Sequence, residues 1–310
     1  MRHIAVIGAG ITGVTTAYAL AGKGYAVTVF DRQRYAAMET SFANGGQLSA
    51  SNAEVWNHWS TVVKGLAWML KGDAPLLMNP SPNWHKYSWM AEFVGNIRHY
   101  RANTVATTRL AIEARRHLFA MAEKERIDFD LETRGILHFY RDRKGFEHAA
   151  RVNEMLVEGG LDRRPVTAEE IRAIEPALPG DFHGGFFTPS DATGDIHKFT
   201  RGLARACARL GVRFVHDAAV ERIEHMDTGV KVVWSGADGA ARPSRDELVA
   251  DGVVICAGVA SRKFAAMVGD RVNIYPVKGY SITVHLDDDA SRAAAPWVSL
   301  LDDKAKIVTS

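Results

Sequence analysis

The sequence predicts a two-domain α/β protein, and three observations lead to this prediction. The 310 residues are enough for about two domains at a typical size of roughly 150 residues each. At the N-terminus a strand-like segment, a glycine-rich turn, a helix-like segment and a second strand-like segment follow one another, which is the order of a βαβ unit. The same alternation returns after Asp195, so we expect one domain to be discontinuous in the sequence.

Composition and charge exclude several classes of protein. Hydrophobic residues make up 47% and charged residues 24% of the chain, as in folded globular proteins, which excludes a disordered or fibrous chain. A net charge of +2 gives no support to a nucleic acid as partner, so a small molecule is expected. Cys207 and Cys256 lie far apart without metal-ligand spacing, and we therefore predict no disulfide, no metal site and a reducing compartment. No apolar run reaches the roughly 18 residues of a transmembrane helix.

Each element of the N-terminal half is predicted from its apolar pattern. His3 to Ile7 and Ala26 to Phe30 are predicted strands, and Ile11 to Ala21 between them is a predicted helix. Glu54 to Glu125 is predicted to be mostly helical, with a loop near Lys71 to Asn83 where three prolines fall. This helical part contains five tryptophans, which pack in a core, cover a site or dock on a membrane surface.

The second half is predicted to return to strands after a mixed region. Arg134 to Arg141 and His183 to Thr188 are β-rich, and Thr167 opens a short helix with Glu170 as its capping-box partner. Asp195 heads an amphipathic helix whose buried face is predicted to carry Phe199, Leu203, Ala206 and Leu210. Further strands are predicted at Val212 to Val215, Ala219 to Glu224, Val230 to Trp234, Val253 to Cys256 and Val277 to Leu286. A polar loop is predicted from Ser235 to Glu247.

The glycine-rich turn predicts a dinucleotide site. Gly8-Ala9-Gly10-Ile11-Thr12-Gly13 matches G-x-G-x-x-G between a predicted strand and a predicted helix, the context that the motif needs. We expect Gly8 to allow the tight turn, Gly10 to let a pyrophosphate approach, and Gly13 to bring helix against strand. Asp31 follows the second strand, where an acidic side chain accepts hydrogen bonds from a ribose.

The sequence indicates the identity of the dinucleotide less directly than its binding site. Arg32 is either a partner for the extra phosphate of NADP or a solvated surface residue. A second small-residue loop from Ser41 to Ser49 favours FAD, because its glycines allow close approach and Asn44 and Gln47 offer amides to a polar ring. The turn at Ala257 and Gly258 either brings backbone against the same cofactor or serves helix packing.

Five motifs in order resemble those of the FAD-dependent D-amino-acid dehydrogenases, bacterial members of the glycine oxidase/D-amino-acid oxidase superfamily. They are VIGAGITG with Asp31, ETSFANGGQLS (Glu39 to Ser49), SDATGD (Ser190 to Asp195), VVICAG (Val253 to Gly258) and YPVKGYSIT (Tyr275 to Thr283). One departure is Cys256-Ala257-Gly258, where the family usually has Ala-Thr-Gly. The loss of the threonine hydroxyl removes one possible hydrogen bond but keeps the small turn.

The resemblance implies a discontinuous Rossmann-like FAD-binding domain and a substrate domain with a mainly antiparallel sheet and a helical insertion. We expect the FAD domain at residues 1–53 and 193–273 and the substrate domain at 54–192 and 274–310. The implied reaction is oxidative deamination of a D-amino acid such as D-alanine, with electrons passed to a respiratory acceptor such as quinone. The expected FAD contacts are Gly8, Ala9, Gly10, Ile11, Thr12, Gly13, Asp31, Arg32, Ser41, Asn44, Gly45, Gly46, Gln47, Leu48, Val220, Ala257 and Gly258.

Candidates for the substrate side are fewer. Tyr280 is a candidate to hydrogen-bond the substrate carboxylate, and Lys278 to add positive charge near the flavin; an ordinary strand position explains each equally well. The family's carboxylate-binding arginine lies in a segment that we expect beyond Ser310, so the chain is expected to be truncated. A related amine or imino-acid oxidoreductase acting on glycine, sarcosine or D-hydroxyproline, and a flavin subunit without turnover, stay open alternatives. We expect a cytoplasmic protein, peripherally attached to the inner membrane.

Overall fold

The computed structural model describes residues 1–68, 79, 81–236 and 244–310. The strands are β1 (His3–Ile7), β2 (Ala26–Phe30), β3 (Gln47–Leu48), β4 (Ile136–Tyr140), β5 (Arg164–Val166), β6 (Gly184–Thr188), β7 (Ala192–Thr193), β8 (Arg213–Val215), β9 (Ala218–Met226), β10 (Gly229–Gly236), β11 (Ser244–Ala250), β12 (Gly252–Ile255), β13 (Ser299–Asp302) and β14 (Ile307–Thr309). The α-helices are α1 (Ile11–Gly22), α2 (Trp59–Trp68), α3 (Trp84–Gly95), α4 (Tyr100–Glu125), α5 (Arg143–Glu158), α6 (Ala168–Ile174), α7 (Ile196–Arg209), α8 (Ser261–Met267) and α9 (Asp289–Ala294).

The chain divides into two compact units, and each unit is assembled from several stretches of sequence. Unit 1 comprises Met1–Asn44, Ala120–Phe129 and Asp195–Gly279. Unit 2 comprises Gly45–Phe119, Asp130–Gly194 and Tyr280–Ser310. The assignment of a cofactor domain and a substrate domain, with the boundaries expected from the sequence, stays a prediction.

Unit 1 contains a four-stranded parallel sheet in the order β12-β1-β2-β8. Val6 and Val29 are completely buried at its centre, as expected for a parallel sheet covered on both faces. Helix α1 connects β1 to β2, and in the sheet His3 pairs with Ala26. The predicted βαβ opening and the predicted Rossmann-like α/β fold are therefore confirmed.

Helix α7 of unit 1 packs beside α1 and begins at a capped N-terminus. The Asp195 carboxylate accepts a hydrogen bond from the backbone N–H of Lys198 at 2.9 Å, which satisfies one of the first-turn donors. Phe199, Leu203 and Ala206 are buried as predicted. Leu210 was expected on the same face but is exposed, because the helix ends at Arg209 and Leu210 occupies its C-cap.

Strands β9, β10 and β11 form an antiparallel sheet whose apolar face belongs to the core of unit 1. The rings of Phe30 and Trp234 lie 4.6 Å apart between their centroids in this core. The loop predicted from Ser235 to Glu247 is wrong at both ends: β10 continues to Gly236, and β11 begins at Ser244. Residues 237–243 of that loop lie outside the described residues. The sequence of β11 is polar, and its pairing with β10 supplies the backbone hydrogen bonds that make it a strand.

Unit 2 is built on a five-stranded sheet in the order β14-β13-β4-β6-β5. Only the β13–β4 pair is parallel within this sheet, so the predicted mainly antiparallel sheet is confirmed. Its core contains Leu137, Ile171 and Phe182, and α6 begins with the predicted Thr167–Glu170 capping box. Helices α2, α3 and α4 confirm the predicted helical insertion; the loop near Lys71 to Asn83 lies mostly outside the described residues.

The strand predicted at Val277 to Leu286 is wrong. Residues 270–287 form no regular secondary structure, and the alternating side chains of Tyr280, Ile282 and Val284 are 87%, 89% and 72% exposed. An alternating pattern becomes a strand only when a neighbouring strand pairs with it, and no described strand pairs with these residues.

Candidate functional site

The three motif glycines of unit 1 have three different surroundings. Gly8 has a φ of +106°, and a Cβ there would lie 2.5 Å from the carbonyl oxygen of Cys256. A Cβ at Gly13 would lie 1.8 Å from the carbonyl oxygen of Gly8. Outside its chain neighbours, a Cβ at Gly10 would meet only one described heavy atom within 4 Å, Ser41 Oγ at 3.5 Å. The turn and the helix packing therefore require Gly8 and Gly13, whereas Gly10 faces open space.

This open space lies at the N-terminus of α1. Gly10 is the N-cap residue, no side chain caps the helix, and no acidic residue lies in its first turn. The backbone N–H of Ile11 donates to Ser41 Oγ at 2.9 Å, and the Ser41 hydroxyl keeps its own proton for a further acceptor. First-turn N–H groups such as that of Thr12 have no acceptor within the helix, and the helix dipole places partial positive charge here. The arrangement fits a pyrophosphate beside Gly10.

Asp31 lies beside this turn at the end of β2. Its carboxylate accepts hydrogen bonds from the backbone N–H groups of Ala9 at 2.6 Å and Gln33 at 2.8 Å. A carboxylate has about four lone-pair positions, so two such bonds leave capacity for the hydroxyls of a ribose. The structure thus brings Asp31 next to the glycine-rich turn, as a dinucleotide site requires.

Arg32 is paired with Glu39. Its guanidinium donates to Glu39 Oε1 from Nε at 3.0 Å and from Nη2 at 2.7 Å. Hydrogen bonds from Gln33 and Arg32 lower the pKa of Glu39, so this carboxylate stays charged at neutral pH. The guanidinium that would bind the additional phosphate of NADP is thus already paired with a carboxylate. A direct contact between Arg32 and the cofactor stays a prediction.

Two further residues of unit 1 hold the turn, and sequence reasoning missed both. Ala37 has a φ of +70°, which is rare for a residue with a side chain. Its N–H donates to the carbonyl oxygen of Ala9 at 3.0 Å. Its own carbonyl oxygen accepts from Nδ1 of His197 at 2.9 Å, which fixes the proton on that nitrogen. Nothing in the sequence marks Ala37, because its role depends on contacts with distant backbone atoms.

The second small-residue loop uses its side-chain amides internally. Asn44 Nδ2 donates to the carbonyl oxygens of Thr40 and Ser41 at 3.3 and 3.1 Å. In unit 2, Gln47 Nε2 donates to Ser299 Oγ at 2.7 Å, and Gln47 Oε1 accepts from Asn52 at 3.0 Å. Both amides predicted to face the cofactor therefore have partners within the protein. The cofactor role of this loop stays a prediction.

The late turn of unit 1 packs against the glycine-rich turn. The N–H of Cys256 donates to the carbonyl oxygen of Ile7 at 2.8 Å, and Ala257 Cα would lie 3.3 Å from a Cβ at Gly8. Gly258 has a φ of +55°, and Val220 on β9 packs at the edge of the apolar core. Ala257 is thus next to the predicted site, and contact of Ala257, Gly258 and Val220 with the cofactor stays a prediction.

The two catalytic candidates, Lys278 and Tyr280, are neighbours in the sequence but fall in different units. Lys278 belongs to unit 1 and Tyr280 to unit 2, both within the stretch that forms no regular secondary structure. Their catalytic roles stay predictions. Among the described residues, no helix is long and apolar enough to cross a bilayer.

Comparison with known proteins agrees with these features. The profile of the FAD dependent oxidoreductase family matches residues 3–310. D-amino acid dehydrogenase 3 from Mesorhizobium japonicum is 66% identical over 311 residues, which cover all of this chain and 74% of that protein. D-amino acid dehydrogenase from Paramagnetospirillum magneticum is 41% identical over 318 residues, covering 99% and 72%.

A solved structure also shares the fold. The crystal structure of glycine oxidase from Geobacillus kaustophilus matches with a TM-score of 0.57 and 18% sequence identity. The match covers 87% of this chain and 59% of that one, so this chain spans less than two thirds of the glycine oxidase. At this identity the likeness concerns the fold.

Proposed function

Since this chain belongs to the family of FAD dependent oxidoreductases, we propose that it catalyses the oxidative deamination of D-amino acids such as D-alanine. A D-amino acid and water give a 2-oxo acid and ammonia, and two electrons pass to an acceptor. The observation that carries the proposal is the 66% identity to a D-amino acid dehydrogenase along the whole chain. The family, the cofactor FAD and the oxidoreductase class predicted from the sequence are confirmed by this membership.

Residues of unit 1 would hold the adenine half of FAD. Gly10 leaves room for the pyrophosphate, the first turn of α1 and the Ser41 hydroxyl offer it donors, and Asp31 accepts from the ribose. When bound, FAD supplies the oxidant for the Cα–H bond of the substrate. Ala9 is held on both sides, by Asp31 at its N–H and by Ala37 at its carbonyl oxygen, so the turn is shaped before the cofactor binds.

We propose further that the acceptor is a quinone and that the protein attaches peripherally to the cytoplasmic face of the inner membrane. Three tryptophans of unit 2, Trp56, Trp59 and Trp84, are 65%, 59% and 82% exposed, and exposed tryptophans favour the lipid–water interface.

Turnover tests the proposed reaction directly. The purified full-length protein should reduce an artificial dye with D-alanine and not with L-alanine, and anaerobic D-alanine should bleach its flavin spectrum. Glycine, sarcosine and D-hydroxyproline form a second panel that separates related amine oxidoreductases. A flavin spectrum that no amine bleaches would instead indicate a flavin subunit without turnover.

Vesicle flotation tests the membrane proposal. The protein should float with vesicles of phosphatidylethanolamine and phosphatidylglycerol, and Trp84→Ser together with Trp56→Ser should reduce the floating fraction. Trp297→Ser is a matched control, because Trp297 is also exposed in unit 2 but lies under the guanidinium of Arg134. Equal loss in the control would contradict a specific role for Trp56 and Trp84.

A further inference from the structure

A buried carboxylate of unit 2 binds the backbone of the segment that follows the small-residue loop. Asp191, in the turn between β6 and β7, is completely buried. Its Oδ1 accepts from the N–H of Ala50 at 3.0 Å, and its Oδ2 accepts from the N–H of Ser51 at 3.1 Å. These bonds hold the first residues of the short 3₁₀ helix at Ala50–Asn52.

Asp191 forms an ion pair with Arg115. Arg115 reaches from α4, donates from Nη1 to Asp191 Oδ1, and donates from Nη2 to Ser190 Oγ at 3.1 Å. The arginine side chain is only 10% exposed. Water does not solvate a buried ion pair, so the removal of one partner leaves the other as a buried charge without compensation. Such a pair is therefore expected to fix one local conformation.

The same segment is tied down at neighbouring positions. Strand β3 (Gln47–Leu48) pairs antiparallel with β7, and the N–H of Gly194 donates to the carbonyl oxygen of Gly46 at 2.9 Å. Ser51 Oγ lies 2.9 Å from Nε2 of the buried His138. The segment from Gly46 to Ser51 is thus anchored by residues far away in the sequence.

We propose that Asp191, balanced by Arg115, is a positioning residue that fixes the conformation of Gly45–Asn52 before FAD binds. This inference rests on the proposed function and on the FAD contacts that the sequence predicts for Gly45–Leu48. A glycine-containing segment is costly to order, because glycines lose more conformational entropy than other residues when their backbone is fixed. A segment that is already ordered in the free protein loses less entropy on binding, so its affinity is higher.

Asp191→Asn tests the proposal with little change in volume. The asparagine keeps one acceptor oxygen, loses the charge opposite Arg115, and places an NH₂ group where Ala50 or Ser51 donates. We expect the FAD dissociation constant of the apoprotein, measured by flavin fluorescence, to rise at least tenfold. Without FAD, hydrogen exchange of the peptide covering residues 46–53 should be faster than in the wild type.

A second variant covers the case in which Asp191→Asn does not fold. Arg115→Lys keeps the positive charge and loses the bond to Ser190, so it should change both readouts in the same direction by a smaller factor. If Arg115→Lys leaves both the dissociation constant and the exchange rate at the wild-type values, the proposal is overturned.

Ile171→Ala is the matched control. It removes a completely buried apolar side chain from the sheet core of the same unit and touches none of the bonds to Asp191. It should lower the melting temperature while FAD affinity and exchange of 46–53 stay unchanged. If Ile171→Ala and Asp191→Asn weaken FAD affinity and speed the exchange of residues 46–53 equally, the proposal is overturned in favour of a general loss of stability.

The positioning role of Asp191 and the proposed function can be refuted independently of each other. A wild type that binds FAD but oxidises no D-amino acid would refute the function and leave the comparison of affinity and exchange intact. A wild type that turns over D-alanine, with Asp191→Asn matching it in affinity and exchange, would refute only the positioning role.

Discussion

The carbonyl oxygen of Gly8 occupies the place where a side chain at Gly13 would begin, 1.8 Å from an ideal Cβ. We predict that Gly13→Ala destabilises the protein by about 3 kcal/mol, the upper end of ordinary overpacking costs, because the new Cβ meets a backbone oxygen that cannot rotate away as a flexible side chain could. Chemical denaturation measures this change.

Gly22→Ala in the same helix is the control for that variant. No described atom lies within 4 Å of a Cβ at Gly22, so alanine should stabilise the protein by about 0.4–1 kcal/mol through the unfolded state. Equal stability of the two variants would contradict the steric role of Gly13.

Gly10→Val should fold and purify without FAD. The open space beside Gly10 accepts a side chain, so the melting temperature of the apoprotein should change little, while the side chain takes the place of the pyrophosphate. The ratio of flavin absorbance to protein is the measurement. Stoichiometric FAD in this variant would refute the placement of the pyrophosphate.

His138 should make the protein sensitive to mild acid. Burial, together with the positive charge of Arg163, holds the pKa of His138 well below its usual value of 6.5. Below pH 6.5 His138 is protonated in the unfolded chain but stays neutral in the folded protein. The free energy of unfolding therefore falls by up to about 1.4 kcal/mol per pH unit as the pH is lowered. Above pH 7.5 the effect is absent.

Denaturation at pH 7.5, 6.5 and 5.5 measures the contribution of His138. His138→Leu should lower stability at every pH, since Ser51 loses its partner, but should show a smaller decrease between pH 6.5 and 5.5. The same slope in variant and wild type would assign the acid sensitivity to other groups.

Neither cysteine should react in the folded protein. Burial raises the pKa of the Cys207 thiol to about 12, and burial also raises the pKa of Cys256. The thiolate is the reactive form, and at pH 8 Cys207 is a thiolate in on the order of one molecule in ten thousand. Mass spectrometry after iodoacetamide treatment should show no adduct in the native protein and two adducts in denaturant.

The fold was predictable where the chain's own pattern determines the structure. The glycine spacing from Gly8 to Gly13 and the Asp195 cap act within a few residues, and both were read correctly. Strands depend on neighbours: polar β11 was missed because β10 supplies its bonds, and the apolar alternation around Tyr280 formed no strand because no described strand pairs with it.

The candidate site divides in the same way. Asp31 follows the second strand at the distance that the motif requires, so its place beside the turn was predictable. Ala37 acts through the backbone of a residue distant in the sequence, and no local signal marks that contact. Asp191 lies in the SDATGD motif, but its bonds to Ala50 and Ser51 depend on the fold. The internal bonds of Asn44 and Gln47 were equally hidden, since an amide looks the same in sequence whatever its partner.

The parallel sheet of unit 1 pairs strands that are translated at very different times. Strand β1 is translated about 250 residues before β12, yet Ile4 pairs with Gly252 on β12. At about 5–20 residues per second, on the order of 10–50 s pass before that neighbour exists. During this time one edge of β1 has no native partner, and the N–H of Cys256 is not yet available to donate to the carbonyl oxygen of Ile7. Nascent chains of this protein therefore depend on protection from aggregation until nearly the whole of unit 1 has been translated.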